Sequence, residues 1–444
     1  MTAAKRVLRY LCSTSGMGLV LGGQSPVVLT GHADASWVDD QATQRSSQGY
    51  TFSLGSGSVS WRATRSSSVL GSSCEAEIYA GAMAAQELRW LTYLLTDLGE
   101  PPRSPPVLYV DNKAMLALCR EQRLEHRTKH IALRYFLARE LQQRGQLRLA
   151  YVASEANTAD VFTKALALCD HQRFYTQLGS GGGENKEKWR EAMDKELKAL
   201  QERNTWKVVP IGVARNKTIL TGKWVFRVKT KADGTIDNRH TSLRILLAVA
   251  AMKKKKLRQI DVANAFLYAP VNAEIYVELP HGSHGEPNQV CQLQKSLYGI
   301  KQAPRLWQQY LHARLIRIVF KQLPHDQGMY RLSKDNDYIL LIVYVDDLLY
   351  IGSTDSVTTW FEGELEKDLT LTVSSTVTQY LGLNIQEGED VIYLNAAKYA
   401  DTIAKRFALT PTTISTPYCY TAGNNKIESA PMKPAGIRNY QRKL

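Results

Sequence analysis

The chain has 444 residues, 44% of them hydrophobic and 22% charged, with a formal net charge of +14. That length suggests two to four domains, and that apolar content excludes a disordered chain. The basic excess points to a polyanionic partner, either nucleic acid or an anionic surface.

At the N-terminus, Lys5, Arg6 and Arg9 interrupt the apolar residues as in an amphipathic helix, without a signal-peptide core. Three strands follow at 27–37, 48–54 and 58–63, divided by Gly/Ser-rich turns. A long amphipathic helix over 74–99 is stopped by Gly99 and Pro101. A short buried strand at 107–111 leads into a helix that begins at Asp111-Asn112. Thr128 is a candidate cap for a further helix that runs to Gly145, and 147–152 reads as a strand. The order βββαβαβ plus a last helix predicts an α/β sheet that begins with antiparallel pairs.

Gly179-Ser180-Gly181-Gly182-Gly183 reads as a flexible linker. It divides the chain into a first domain, 1–178, a linker over 179–186, a second domain, 187–417, and a loose polar tail, 418–444. The second region opens with a helix over 187–203, followed by strands at TWKVVP and GKWVFRVKTK. Next come a helix near 242–256, a strand in LRQIDVANAF, and a helix near 303–318. Then YILLIVYVDDLLYIG gives two apolar strands joined at paired aspartates. Tyr338 to Val345, the longest apolar run, is too short to span a bilayer, so no membrane partner is expected. Cys12, Cys74, Cys119, Cys169, Cys291 and Cys419 form no CxxC pair. That argues against zinc and against a disulfide scaffold. It favours a reducing, intracellular location, in cytoplasm or nucleus.

Four carboxylates of the first region sit at element ends: Asp34 in an apolar strand, Glu77 in the first turn of the long helix, Asp111 ending a strand, and Asp160 after the last strand at the start of the last helix. A mixed sheet of this order brings such ends to one point. Clustered carboxylates repel unless cations lie between them, and Mg²⁺ or Mn²⁺ suits an all-oxygen site. Two such ions activate a water and stabilise the leaving oxygen of a phosphodiester. A single aspartate of this kind reads equally as a turn or helix cap, but four together are harder to explain so. GHADASWVDD, SSCEAEIYA, LYVDNKAM, HRTKHIALRYFLARE and ANTADVFTKAL, in that order over residues 1–170, resemble the ribonuclease H domain of copia-type retrotransposon Pol polyproteins. The resemblance implies a ribonuclease H-like mixed sheet with helices, in which Asp34, Glu77, Asp111 and Asp160 are the metal-binding tetrad. Glu75 is an alternative to Glu77, and Glu77 is preferred because it completes an Ala-Glu pair at the helix start. Arg127, Lys129 and His130 form a basic turn that reads either as phosphate-facing or as a solvated helix start.

In the second region, Asp346-Asp347 stands where a tight hairpin ordinarily takes Asn-Gly or Asp-Gly, so turn chemistry alone does not account for it. Asp261 ends another apolar strand. Three aspartates with two Mg²⁺ ions suit nucleotidyl transfer. KWREAMDKELKAL, NTWKVV, GKWVFRVKTKADGTI, RQIDVANAFL, VCQLQKSLYGIKQAPRLW and LLIVYVDDLLYIG resemble the reverse transcriptase of the same elements. The resemblance implies a palm and fingers domain with Asp261, Asp346 and Asp347 as its catalytic, metal-binding trio. It also implies Phe266 as the residue that excludes a ribose 2′-hydroxyl, although Phe266 reads alternatively as a core aromatic. Tyr298, Gly299 and Gln302 would line the nucleotide, and Lys301 would face the nucleic acid. The run Lys253 to Lys256 reads as a solvated helix end.

The chain departs from that family in several ways. Family members place reverse transcriptase before ribonuclease H, whereas here the order is reversed. Arg239-His240 run straight into Thr241-Ser242 where the family carries a basic fingers strand that holds the triphosphate. Ala263 stands where the family has Lys. Most of the segment joining the two domains is missing, and no gag, protease or integrase is seen, as in an incomplete element. The expectation is an RNA–DNA hybrid ribonuclease using Mg²⁺, joined to an impaired RNA-directed DNA polymerase acting on template–primer and dNTP. The alternative is a catalytically inactive nucleic-acid-binding relic.

Overall fold

The computed structural model of the chain describes residues 7–182, 206–210, 219–220, 238–278 and 289–400, apart from 12–13, 15–16, 24–27, 41, 121–136, 167 and 398. In chain order its strands are β1 (Met17–Gly22), β2 (Leu29–Asp40), β3 (Arg45–Leu54), β4 (Gly57–Arg65), β5 (Val107–Val110), β6 (Arg148–Tyr151), β7 (Ser180–Gly182), β8 (Trp206–Pro210), β9 (Ile219–Leu220) and β10 (Arg258–Val262). They continue as β11 (Tyr276–Glu278), β12 (Gln289–Leu293), β13 (Lys321–Leu323), β14 (Asp326–Lys334), β15 (Asp337–Tyr344), β16 (Asp347–Gly352), β17 (Leu371–Ser374), β18 (Gln379–Tyr380), β19 (Leu383–Glu387) and β20 (Val391–Asn395). Helices of seven residues or more are α1 (Ser73–Asp97), α2 (Lys113–Arg120), α3 (Leu137–Gln143), α4 (Leu168–Gln177), α5 (Asn238–Met252), α6 (Ala303–Arg317) and α7 (Asp355–Glu366).

The chain divides into two compact units. One comprises Met1–Asn185, Arg244–Lys254 and Thr378–Leu444, and the other Lys186–Leu243 and Lys255–Val377. At the centre of the first unit is a mixed sheet of order β4-β3-β2-β5-β6. Its β2–β3 and β3–β4 pairs are antiparallel, and β2–β5 and β5–β6 are parallel, as the βββαβαβ order predicts. Helix α1 starts where the Ser72 hydroxyl accepts the Glu75 N–H, an N-cap. It buries Ala76, Ala80, Ala84 and Ala85 beside Leu88, Leu91, Leu94 and Leu95. Alanines in the first turns let α1 approach β2 closely, where Ala35, Leu70, Ala76 and Ala80 form a small core cluster.

A second sheet of this unit has the order β18-β19-β20-β1-β7 and corrects the expected domain boundaries. Ser180–Gly182 are not a free linker but pair antiparallel with Met17–Leu19. The strands over 379–395, expected in the domain 187–417, join β1 through an antiparallel ladder from Gly18↔Asn395 to Gly22↔Val391. Nothing in the sequence of these segments names their partners. Residues 244–252 of α5 also belong to this unit, with the buried Arg244 Nε donating to the Val59 carbonyl at 2.6 Å and its guanidinium 4.2 Å from the Trp61 ring centroid. The remaining domain expectations at 183–205 and 401–444 lie outside the described residues.

The second unit holds a six-stranded antiparallel sheet, β13-β14-β15-β16-β10-β17, and a four-stranded sheet, β8-β12-β11-β9. The continuous apolar run of β15 suits a strand buried on both faces, and Ile339 to Ile342 are all buried. Trp307, Leu311 and Leu315 of α6 and Phe361 and Leu365 of α7 pack with Tyr350 and Leu341 in one core.

The β1–β20 ladder is testable at Gly18, where an added Cβ would lie 2.4 Å from the Leu394 carbonyl oxygen. Gly18→Ala is expected to destabilise the first unit by roughly 1–3 kcal/mol in chemical denaturation. An unchanged midpoint would show that the ladder does not form.

Candidate carboxylate centres

Strands β2 and β5 run parallel with His32 opposite Tyr109, so the same register two residues on sets Asp34 level with Asp111. Glu77 comes from the start of α1, which packs on β2. Donor oxygens of Asp34, Glu77 and Asp111 all lie within 4.8 Å of one another. Asp160 sits in the 3-10 turn Thr158–Phe162, not at the start of an α-helix as expected. Buried Asn157 fixes that turn: its Nδ2 donates to the Ala33 carbonyl at 3.1 Å, and its Oδ1 accepts the Ala159 N–H at 3.2 Å. Lys164 Nζ then bridges Asp34 Oδ1 at 3.1 Å and Asp160 Oδ1 at 2.9 Å. Thr163 Oγ1 donates to the other Asp34 oxygen, and Ser154 Oγ donates to Asp111 Oδ2 at 2.7 Å.

The geometry decides between the two glutamates. Glu75 is occupied at the helix start, its Oε2 accepting the Gly71 N–H at 2.7 Å. Glu77 is 7% exposed, and its Oε2 is buried without a hydrogen-bond partner. Burial, then Asp34, then Asp111 push the Glu77 carboxyl up to about 9 from 4.5. Burial and Asp34 raise Asp160 to about 7. Burial lowers the Lys164 ammonium, but Asp34 and Asp160 more than offset this, so the group is raised overall and stays charged. Lys164, Thr163, Asn157 and Ser154 are site residues that carboxylate reasoning missed. The first three lie within the ANTADVFTKAL segment. Arg127, Lys129 and His130 lie outside the described residues.

In the second unit β10 pairs β16 antiparallel, with Asp261 opposite Asp347. The β15–β16 hairpin turns at Val345-Asp346, between the paired Tyr344 and Asp347. Val345 has φ +57, a left-handed conformation that costs a β-branched residue about 1–3 kcal/mol. Trp307 Nε1 donates to the Val345 carbonyl at 2.5 Å, and the Val262 N–H donates to the Asp346 carbonyl at 3.1 Å. These bonds hold the turn that presents Asp346. Asp261 is exposed, while Asp346 and Asp347 are half-buried. Burial, then Asp346 and Asp261, raise Asp347 to about 6.

Tyr298 Oη donates to Asp346 Oδ2 at 3.0 Å, and its ring meets Phe266 edge-on at 4.4 Å. Phe266 is 6% exposed and lies in the 3-10 turn Ala265–Tyr268, so it is part of the core while bordering the aspartates. Gly299 has φ +98, a conformation that favours glycine, and Gln302 immediately precedes α6. Lys301 is exposed beside them. In the lysine run, Lys253 pairs with Glu100 at 2.7 Å and Lys255 donates to the Ser353 carbonyl at 2.7 Å.

Residues 236–419 match the family described as reverse transcriptase (RNA-dependent DNA polymerase). The retrovirus-related Pol polyprotein from transposon RE1 of Arabidopsis thaliana is 28% identical over 260 residues, covering 52% of this chain and 18% of that protein. The corresponding protein from transposon TNT 1-94 of Nicotiana tabacum is 29% identical over 247 residues, covering 49% of this chain and 18% of that protein. The chain thus spans 18% of the length of these relatives. Among solved structures, the N-terminal ribonuclease H domain of Rv2228c from Mycobacterium tuberculosis is 13% identical with a TM-score of 0.23, over 34% of this chain and 98% of that one. The second half of the chain is thus similar to the reverse transcriptase family. The chain is a relative of the Pol polyproteins of copia-type retrotransposons.

The raised Glu77 carboxyl has a consequence for stability without metal. Between pH 4.5 and about 9 the folded chain holds a proton that the unfolded chain has released, so stability falls as pH rises through that window. The melting temperature in EDTA is expected to drop from pH 5 to pH 9, and Glu77→Gln to flatten that drop. An equal slope in both proteins would contradict the buried cluster.

Proposed function

We propose that the first unit is a metal-dependent ribonuclease that cuts the RNA strand of an RNA–DNA hybrid. The observation that carries this reading is the convergence of Asp34, Glu77 and Asp111, with one Glu77 oxygen buried and unbonded. A largely buried donor set made of carboxylate oxygens alone fits a hard divalent cation such as Mg²⁺ or Mn²⁺. When bound, the ions supply an activated water and a charge that stabilises the leaving oxygen of the phosphodiester. The chain's own residues hold the donors: Thr163 fixes Asp34, Ser154 orients Asp111, and Asn157 ties the turn of Asp160 to β2. The net charge of +14 favours a phosphate backbone. Arg127, Lys129 and His130 are proposed contacts to it.

The second unit is proposed as the matching RNA-directed DNA polymerase centre, with Asp261, Asp346 and Asp347 holding metal and dNTP. Its family match and the pairing of Asp261 with Asp347 support this reading. Phe266, Tyr298, Gly299 and Gln302 would border the nucleotide, and Lys301 the template. The sequence passes from Arg239-His240 to Thr241-Ser242 without the family's basic fingers strand. Without it the transferring phosphoryl group lacks a cationic clamp, so this centre is expected to be slow.

Purified full chain with Mg²⁺ is expected to cleave a labelled RNA–DNA hybrid. EDTA should abolish cleavage, and Asp111→Asn should lower it by more than about 100-fold. Folded protein that binds hybrid yet never cuts it would reduce the chain to a nucleic-acid-binding relic. In a primer-extension assay on an RNA template, incorporation is expected to be slow and to vanish in Asp347→Asn. Fast, processive extension would overturn the assigned impairment.

A further inference from the structure

The carboxylate centre of the first unit already contains a cation of its own. Lys164 Nζ lies 3.1 Å from Asp34 Oδ1 and 2.9 Å from Asp160 Oδ1, and those two side chains are 1% and 9% exposed. The remaining Asp34 oxygen accepts the neutral Thr163 hydroxyl, which leaves that oxygen a lone pair for an ion. The other half of the centre differs. Among the described residues no Lys or Arg side chain forms an ion pair with Glu77 or Asp111, and Glu77 Oε2 has no hydrogen-bond partner. One half therefore has a cation bridging its two carboxylates and the other is open.

We infer that Lys164 is a resident counter-cation that makes the centre take its two divalent ions in sequence, the first among Asp34, Glu77 and Asp111 and the second only as Lys164 leaves the Asp34–Asp160 pair. This rests on the metal-centre reading proposed above. An ammonium and a divalent ion cannot share the same carboxylate oxygens at hydrogen-bond distance, because like charges in a partly buried site repel strongly. The Lys164 side chain is 34% exposed, so it can reach water by rotating about its own bonds without moving the backbone. Withdrawal would leave the 3-10 turn in place, since Asn157 and Thr163 also tie this segment to β2. Lys164 is thus a positioning residue: it acts on when the second ion enters, not on the phosphodiester.

The test is calorimetric titration of the EDTA-stripped, dialysed full chain with Mn²⁺. Asp346→Asn and Asp347→Asn are present throughout, so that the aspartates of the second unit do not contribute. Two separated steps are expected. In K164M the second step should tighten by about tenfold or more while the first stays within about threefold, and K164R should keep the separation. A second step unchanged in K164M would overturn the inference. No first step at all would instead remove the metal-centre reading itself. A second measurement needs no folded variant: amine labelling of Lys164, followed by peptide mass spectrometry. Labelling should rise several-fold across the second step and stay flat across the first. Labelling indifferent to Mn²⁺ would equally overturn the inference.

Discussion

Repulsion among Asp34, Glu77, Asp111 and Asp160 is the constraint around which the first unit is arranged. Asp34 is fully buried, and Glu77 and Asp160 are nearly so, so water cannot screen their charges. The parallel register of β2 and β5 sets two of them side by side, and the alanines of α1 allow the third to come close. Such an arrangement survives only if protons, an internal cation or bound metal offset it. The raised Glu77 and Asp160 carboxyls and the Lys164 bridge are the first two of these devices at work. A hydrophobic replacement of the cluster would make a more stable sheet end. The burial of Asp34, Glu77 and Asp160 instead sacrifices stability for a site, a trade characteristic of functional centres.

In the second unit the equivalent tension lies in the backbone. Val345 occupies a left-handed conformation between two apolar strands, and the buried Trp307 accounts for its persistence by donating to the Val345 carbonyl. Trp307 is anchored in turn by the core that α6 and α7 form with β16. Strain at the hairpin tip is thus sustained by packing well away from it, and the turn holds Asp346 and Asp347 at fixed positions.

Much of this was legible in the sequence, for a physical reason. Asp34, Asp111, Asp261, Asp346 and Asp347 each interrupt or end an apolar run, and an acid in such a place is anomalous whatever the fold. Helix α6 and the hairpin strands β15 and β16 likewise follow from local periodicity. What was hidden is non-local. Nothing in MGLVLG names Val391–Asn395 as its partner, and Ser180–Gly182 reads as a spacer because glycine carries no side-chain pattern. Lys164 was hidden for another reason. A lysine four residues after an aspartate normally reads as a solvated i,i+4 pair, and only the sheet shows that Asp34 lies on its other side.

The two aspartate-rich centres differ in how they manage charge, and the difference follows from burial. The acids of the second unit are exposed or half-buried, so solvent screens much of their repulsion, and burial raises Asp347 only to about 6. Near neutral pH Asp347 is therefore ionised for the most part. In the first unit Asp34, Glu77 and Asp160 are shut away, with Glu77 at about 9 and Asp160 at about 7, so the same pH leaves those last two partly protonated, and an ammonium bridges Asp160 to Asp34. On the metal-centre reading proposed above, metal entry there would have to expel protons or displace Lys164, and its pH dependence would be correspondingly steep.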